Sequence, residues 1–96
     1  AYDEKVLEKL KDKRPISILN KIKEEVEKDN EQLKEGLVAW AKENSVPIGA
    51  LMQCFRLALV GKLTGPDLFE ICNLLGKELS LKRIDDLIKY INLKLT

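Results

Sequence analysis

Apolar residues recur along most of this chain three and four positions apart, the period of an amphipathic helix. Val6, Leu7 and Leu10 mark a short first helix. It ends before Pro15, because a proline disfavours helical geometry at the residue preceding it, Arg14. Ile18, Leu19, Ile22 and Val26 continue the period. Among them Lys21, Lys23, Glu24, Glu25, Glu27 and Lys28 read as a solvated face. Asp29 with Gln32 three residues later forms a capping pair for the next helix, which carries Leu33, Leu37 and Trp40 and runs to about Glu43. Asn44-Ser45-Val46-Pro47 is a break, with Pro47 suited to the first turn of a new helix.

From Ile48 the pattern changes. Ile48, Leu51, Met52, Phe55, Leu57, Ala58, Leu59 and Val60 make a segment that is apolar nearly all round, which predicts the central, buried helix. Gly61 ends or bends it. Thr64-Gly65-Pro66-Asp67 starts another helix, with Pro66 at its first position and Thr64 and Asp67 as a capping-box-like pair. Leu68, Phe69, Ile71, Cys72, Leu74 and Leu75 supply its core face, and Gly76 caps its C-terminus. Ser80 caps a last helix that turns Ile84, Leu87, Ile88, Ile91 and Leu95 inward. Trp40, Met52 and Phe69 belong to the core by the same spacing; Phe55 adjoins Arg56, which leaves either a core or a ligand-side place open to it. No alternation of period two predicts a strand. The expected fold is all-α, a compact domain of five to six helices over residues 1–96. Residues 1–46 form its leading helices, and 47–96 its core and terminal helix.

Composition alters this picture little. The 96 residues suit one domain. The formal charge of +1 does not announce a nucleic-acid binder, so any RNA contact has to come from a local patch. Cys54 and Cys72 sit among apolar residues and read as buried free thiols, which fits a reducing, cytoplasmic setting. There is no histidine, so neither a histidine-based catalytic pair nor a four-ligand zinc site is at hand. No Gly-rich phosphate loop, paired carboxylates or membrane-length apolar run appears. The chain on its own is expected to be non-catalytic, with no metal, cofactor or membrane. Its start without Met suits a fragment of a longer protein.

The informative stretch is 44–61, eighteen residues whose single charge is Arg56. Gln53 shares its face, one turn earlier. A guanidinium on an otherwise apolar helix needs a partner for its donors. One reading is an ion pair with Glu70, Asp67 or Glu78. The other is a ligand-facing arginine beside the helix start at 64–67, an arrangement suited to single-stranded bases.

Three blocks in order add to this: Phe55-Arg56-Leu57-Ala58-Leu59-Val60-Gly61, Gly65-Pro66-Asp67-Leu68-Phe69-Glu70-Ile71 and Leu74-Leu75-Gly76-Lys77-Glu78. Together they resemble the pattern R-x-A-L-x-G, P-x-L-F-E-[IL], L-L-G-K-E at the C-terminal end of bacterial glutamyl-tRNA synthetases. Tyr2-Asp3-Glu4-Lys5 resembles that family's Y-D-x-K segment, and Leu37-Val38-Ala39-Trp40 its tryptophan-bearing helix. The resemblance spans nearly the whole chain and is strongest over 47–83.

The resemblance implies an anticodon-binding helical cage domain. Arg56, Gly65, Pro66 and Leu68 would meet the anticodon of tRNA-Glu. Apart from the resemblance, Gln53, Lys62, Lys77 and Arg83 are candidate contacts to the tRNA backbone, a solvated face being the other reading of the last-helix cations Lys77 and Arg83. Gly65 stands where other members carry a hydroxyl residue, and Asp67 where glycine is common. The ATP-binding signatures H-I-G-H and K-M-S-K-S are absent, as a piece lacking the catalytic half requires. The full enzyme would be a glutamate–tRNA ligase using ATP and Mg2+, with its own catalytic and preceding helical domains as partners of this piece; it would be monomeric and cytoplasmic, without DNA or membrane contacts. The rival reading is a helical protein–protein docking module with no RNA contact.

Overall fold

The computed structural model describes residues 2–28, 31–61 and 66–95, leaving aside the Leu95 side chain. Asp29, Lys62, Thr64 and Gly65 therefore lie outside the described residues, as does the inward placement of Leu95. Among those described there are six α-helices, one 3-10 turn and no strand.

Helix α1, Glu4–Leu10, is capped by Asp3, whose carboxylate accepts from the amides of Lys5 and Val6. A 3-10 turn, Lys11–Lys13, follows it. Arg14 then turns left-handed (φ 57°), which lets Pro15 open α2, Pro15–Lys28. The proline ends one helix and is itself the first residue of the next, where its missing N–H is not needed. Helix α3 runs Leu33–Glu43; Gln32 stands at its cap position without a side-chain capping bond. Its C-terminus closes through Ser45 in the left-handed region (φ 57°). The Val46 amide reaches back to the Ala41 carbonyl at 2.8 Å and that of Ser45 to Lys42 at 3.4 Å, a Schellman closure with the apolar Val46 buried beneath it.

Helix α4, Ile48–Val60, starts after Pro47 and stops at Gly61 (φ 78°). Helix α5, Leu68–Leu75, is capped by Asp67 and ends at Gly76, whose amide bonds the Cys72 carbonyl. Pro66 thus lies one residue outside the cap, not at the first helical position. Helix α6, Lys77–Leu95, begins directly after Gly76. Ser80 is not its cap: it is fully buried, and its hydroxyl donates to the Cys72 carbonyl at 3.4 Å, tying α6 to the end of α5.

The core is built where the apolar period placed it. Helix α2 packs on α6, α3 and α4, and α4 also meets α3, α5 and α6. Ile18, Leu19, Ile22, Leu37, Leu51, Phe55, Leu57, Ile84 and Leu87 are fully enclosed. Burying each large side chain of this kind contributes about 1.5–3 kcal/mol. Phe55 is a core residue and meets Phe69 edge to face at 5.9 Å. Trp40, Met52 and Phe69 are half-buried and pack against this core from its margin. Leu74 departs from its expected core position: it is 87% exposed. Helix α5 has only eight residues and packs on α4 and α6, so its far side stays open.

Glu25 departs in the opposite direction. It is only 7% exposed, inside the face expected to be solvated. Lys28 and Lys21 hold its carboxylate at 2.8 and 3.2 Å. Room for it comes from Gly36 of α3, where an added Cβ would lie 2.6 Å from Glu25 Oε1. Lys28 above all, with Lys21, holds the Glu25 carboxyl below the usual carboxylate range against the opposing effect of burial.

Candidate nucleic-acid interface

Helix α4 is enclosed on most sides but not all. Ala50, Leu51, Cys54, Phe55, Leu57, Ala58 and Leu59 are buried, whereas Ile48, Gly49, Met52, Gln53, Arg56 and Val60 are exposed or half-buried. These six recur at intervals of about four, so they form one open stripe down the helix. The stripe is apolar except for Gln53 and Arg56. A Cβ added at Gly49 would meet nothing within 4 Å, so the stripe is open at its start as well.

Arg56 sits in the last two turns of that stripe. Its Nη1 donates to the Pro66 carbonyl oxygen at 2.9 Å. Among the described residues none of the ion pairs involves Arg56. Its structural partner is therefore a backbone carbonyl and not Glu70, Asp67 or Glu78. The bond fixes the guanidinium plane against the turn that leads into α5. A guanidinium carries five donors, so one bond of this kind leaves the fork with donors to offer elsewhere.

The start of α5 is not the open anion site that the sequence suggested. Asp67 Oδ1 accepts from the Phe69 and Glu70 amides at 2.9 and 3.1 Å, which occupies first-turn N–H groups and sets a negative charge there. The departure from glycine at this position thus has a structural use. Beside it, an open groove of about 430 Å³ runs between the start of α3 and α5, lined by Glu31, Glu35 and Asp67 with Lys34, Phe69 and Asn73. Three carboxylates against one ammonium make that side unfavourable for phosphate.

The remaining sequence candidates separate. Pro66 is exposed next to Arg56, while the Leu68 side chain is buried, so only its backbone faces that turn. Gln53 lies on the α4 stripe. Lys77 is exposed at the start of α6 and lines a cleft with Glu25, Leu33 and Asn73, on the side of the molecule where α2, α3 and α5 meet. Arg83 is half-buried and donates to the Leu59 carbonyl, holding an orphan carbonyl at the end of α4. Lys62 and Gly65 lie outside the described residues. Tyr2 and Tyr90 meet each other, edge on, at 4.9 Å. The open stripe is not visible in the sequence: an apolar helix shows no polar face to mark its exposed side, so Ile48 and Met52 read as inward.

Burial pushes the Cys54 thiol up to about 12, so it stays protonated and unreactive at neutral pH. Cys72 is buried as well, and both cysteines are free. No group of residues able to hold a metal ion occurs among the described residues. No helix among them is long and apolar enough to cross a membrane.

The described residues form an all-α bundle with the Arg56 guanidinium held beside Pro66, and comparison with known proteins gives the class of this domain. Residues 1–88 match the family model described as an anticodon binding domain, and the chain belongs to that family. It is 35% identical to a glutamate–tRNA ligase of Flavobacterium psychrophilum over 91 residues, which is 88% of this chain and 18% of the relative. A glutamate–tRNA ligase of Flavobacterium johnsoniae is 36% identical over 95% of the chain and 19% of its own length. Glutamate–tRNA ligase 1 of Helicobacter pylori is 38% identical over 92% of the chain and 20% of its own length. The chain thus spans about a fifth of the curated relatives it matches. No solved structure matches it.

Proposed function

We propose that this chain reads the anticodon of tRNA-Glu as part of a glutamate–tRNA ligase. The observation that carries the reading is Arg56: the lone charge on the open stripe of α4, oriented by the Pro66 carbonyl at 2.9 Å. A largely apolar strip carrying one guanidinium suits unstacked bases, which present a π-face to the strip and carbonyl and ring-nitrogen acceptors to the fork. Arg56 donates to a base edge, Pro66 and the Leu68 backbone form the facing wall, and Gln53 contacts the adjoining sugar–phosphate. Gly65 enters this proposal through the family resemblance alone, and Lys62, Lys77 and Arg83 only as cations able to meet phosphate. The Arg83 donor bound to Leu59 leaves it less free for phosphate than Lys77.

The chain contributes recognition, not chemistry. The rest of the protein would activate glutamate with ATP and Mg2+ and transfer it to the tRNA; the catalytic and preceding helical domains of the same chain are its partners. The parent protein is proposed as a monomeric cytoplasmic enzyme. The test is aminoacylation of native and anticodon-substituted tRNA-Glu transcripts by the full-length protein. A preference for the native anticodon that depends on Arg56 supports the reading. Indifference to the anticodon would leave a docking module in its place.

A further inference from the structure

The two described residues that flank 62–65 are each held at their carbonyl oxygen. Pro66 is held by Arg56, as above. Gly61 is held by the backbone amide of Asp3, at 3.3 Å. That amide is itself tightly placed. Asp3 caps α1 through its side chain, and its own carbonyl accepts from the Leu7 amide at 3.1 Å. Its neighbours on both sides are fastened to α6. The Tyr2 ring packs edge-on against Tyr90 at 4.9 Å. The Tyr90 hydroxyl donates to Glu4 Oε1 at 2.6 Å, and Lys94 lies 3.6 Å from the same carboxylate and 5.8 Å from the Tyr90 ring centre. Helix α6 also grips the end of α4 directly, through Arg83 on the Leu59 carbonyl.

These bonds form one path. Tyr90 and Lys94 fix Tyr2 and Glu4, these fix the Asp3 amide, and the amide fixes Gly61, five residues beyond Arg56. An α4 terminus free to rotate would change how the Arg56 fork meets Pro66, because Arg56 lies on α4 and Pro66 stands just before the cap of α5. We propose that the Tyr2–Glu4 segment, clasped by Tyr90 and Lys94, is a positioning element for base recognition by Arg56. It touches no RNA in this scheme. It rests on the anticodon-reading role of Arg56 and adds to it a remote determinant near the start of the chain. The sequence marks Tyr2, Asp3 and Glu4 only through the Y-D-x-K resemblance; their clasp to α6 is not legible there, since Tyr2 and Tyr90 are 88 positions apart.

The experiment uses the full-length protein with Tyr2→Ala, Tyr2→Phe, Tyr90→Phe and Arg56→Ala, assayed by aminoacylation of native and anticodon-substituted tRNA-Glu well below the melting temperature of each variant. Tyr2→Ala and Tyr90→Phe are expected to raise KM for native tRNA by roughly 2- to 30-fold, the range through which residues away from a ligand modulate its binding. Both lower the preference for the native anticodon and leave kcat at saturating tRNA and KM for ATP unchanged. Tyr2→Phe, which keeps the ring pair, restores wild-type values. A purely structural clasp lowers the melting temperature and leaves KM for tRNA unmoved, and that result overturns the proposal while Arg56→Ala still raises KM. If Arg56→Ala also has no effect, the reading of the site and the clasp fall together. If the clasp variants raise KM but Arg56→Ala does not, positioning through Arg56 is overturned.

Discussion

Arg56 Nη1 donates to the Pro66 carbonyl oxygen at 2.9 Å and so links α4 to the residue before the α5 cap. The bond gives Arg56 a structural task in addition to the proposed one. Removing it costs stability of about 1 kcal/mol, the usual net value of one such hydrogen bond. Urea unfolding of Arg56→Ala is expected to show that loss with an unchanged slope. Arg56→Lys is expected to recover part of this stability, since an ammonium can donate to the carbonyl, without restoring the planar fork.

Glu25 makes stability depend on pH. Its folded-state carboxyl is held below the ordinary value, so its stabilising effect is present above roughly pH 4.3, the unfolded value, and disappears as pH falls through the lower folded value. Glu25→Gln should therefore be less stable than the native chain by about 1 kcal/mol at pH 7, since Glu25 is enclosed but its partner Lys28 is half exposed. The difference shrinks toward pH 3. Denaturant titrations at several pH values measure it, and a constant difference contradicts the account.

Ser45 occupies the left-handed position of the α3 closure at φ 57°. A side chain there costs about 1 kcal/mol relative to glycine. Ser45→Gly is expected to stabilise the chain, offset in part by greater freedom of the unfolded state. The measurable outcome is a higher urea midpoint.

Both thiols are enclosed, Cys54 at 1% exposure and Cys72 at 9%. An aromatic disulfide reagent at pH 8 is expected to leave Cys54 untouched in the native protein and to react with both cysteines in denaturant. Any slow native reaction should fall on Cys72, which borders the groove between α3 and α5.

Much of this fold was legible because amphipathic periods report burial directly. Ile18, Leu19, Ile22, Leu37, Ile84 and Leu87 lie where the period puts them. Glycine punctuation worked at Gly61 and Gly76, whose positive φ only glycine adopts readily, whereas Pro47 and Pro66 stand at or before the caps and not in the first helical turn. Other features were not legible because they depend on a partner far along the chain. Glu25 is buried through Gly36 and its two lysines, and nothing in the local pattern marks it. Ser80 looked like a cap because serine favours caps, but the Cys72 carbonyl and burial against α5 use its hydroxyl inside α6. Leu74 looked like core because it is apolar, yet a helix of eight residues has too few neighbours to cover every side. At the candidate site, the lone charge at Arg56 was visible in sequence. Its carbonyl partner and the open stripe required the packing, and so did the Asp67 cap that closes the start of α5.

The central claim, that Arg56 reads an anticodon base, is tested most directly by kcat/KM of the full-length protein for native and anticodon-substituted tRNA-Glu, with and without Arg56→Ala. The account predicts that the native protein prefers the native anticodon. It further predicts that Arg56→Ala reduces this preference by roughly 5- to 150-fold, the equivalent of about 1–3 kcal/mol for a good fork-to-base contact. An Arg56→Ala protein that is folded and discriminates as well as the native one would contradict it.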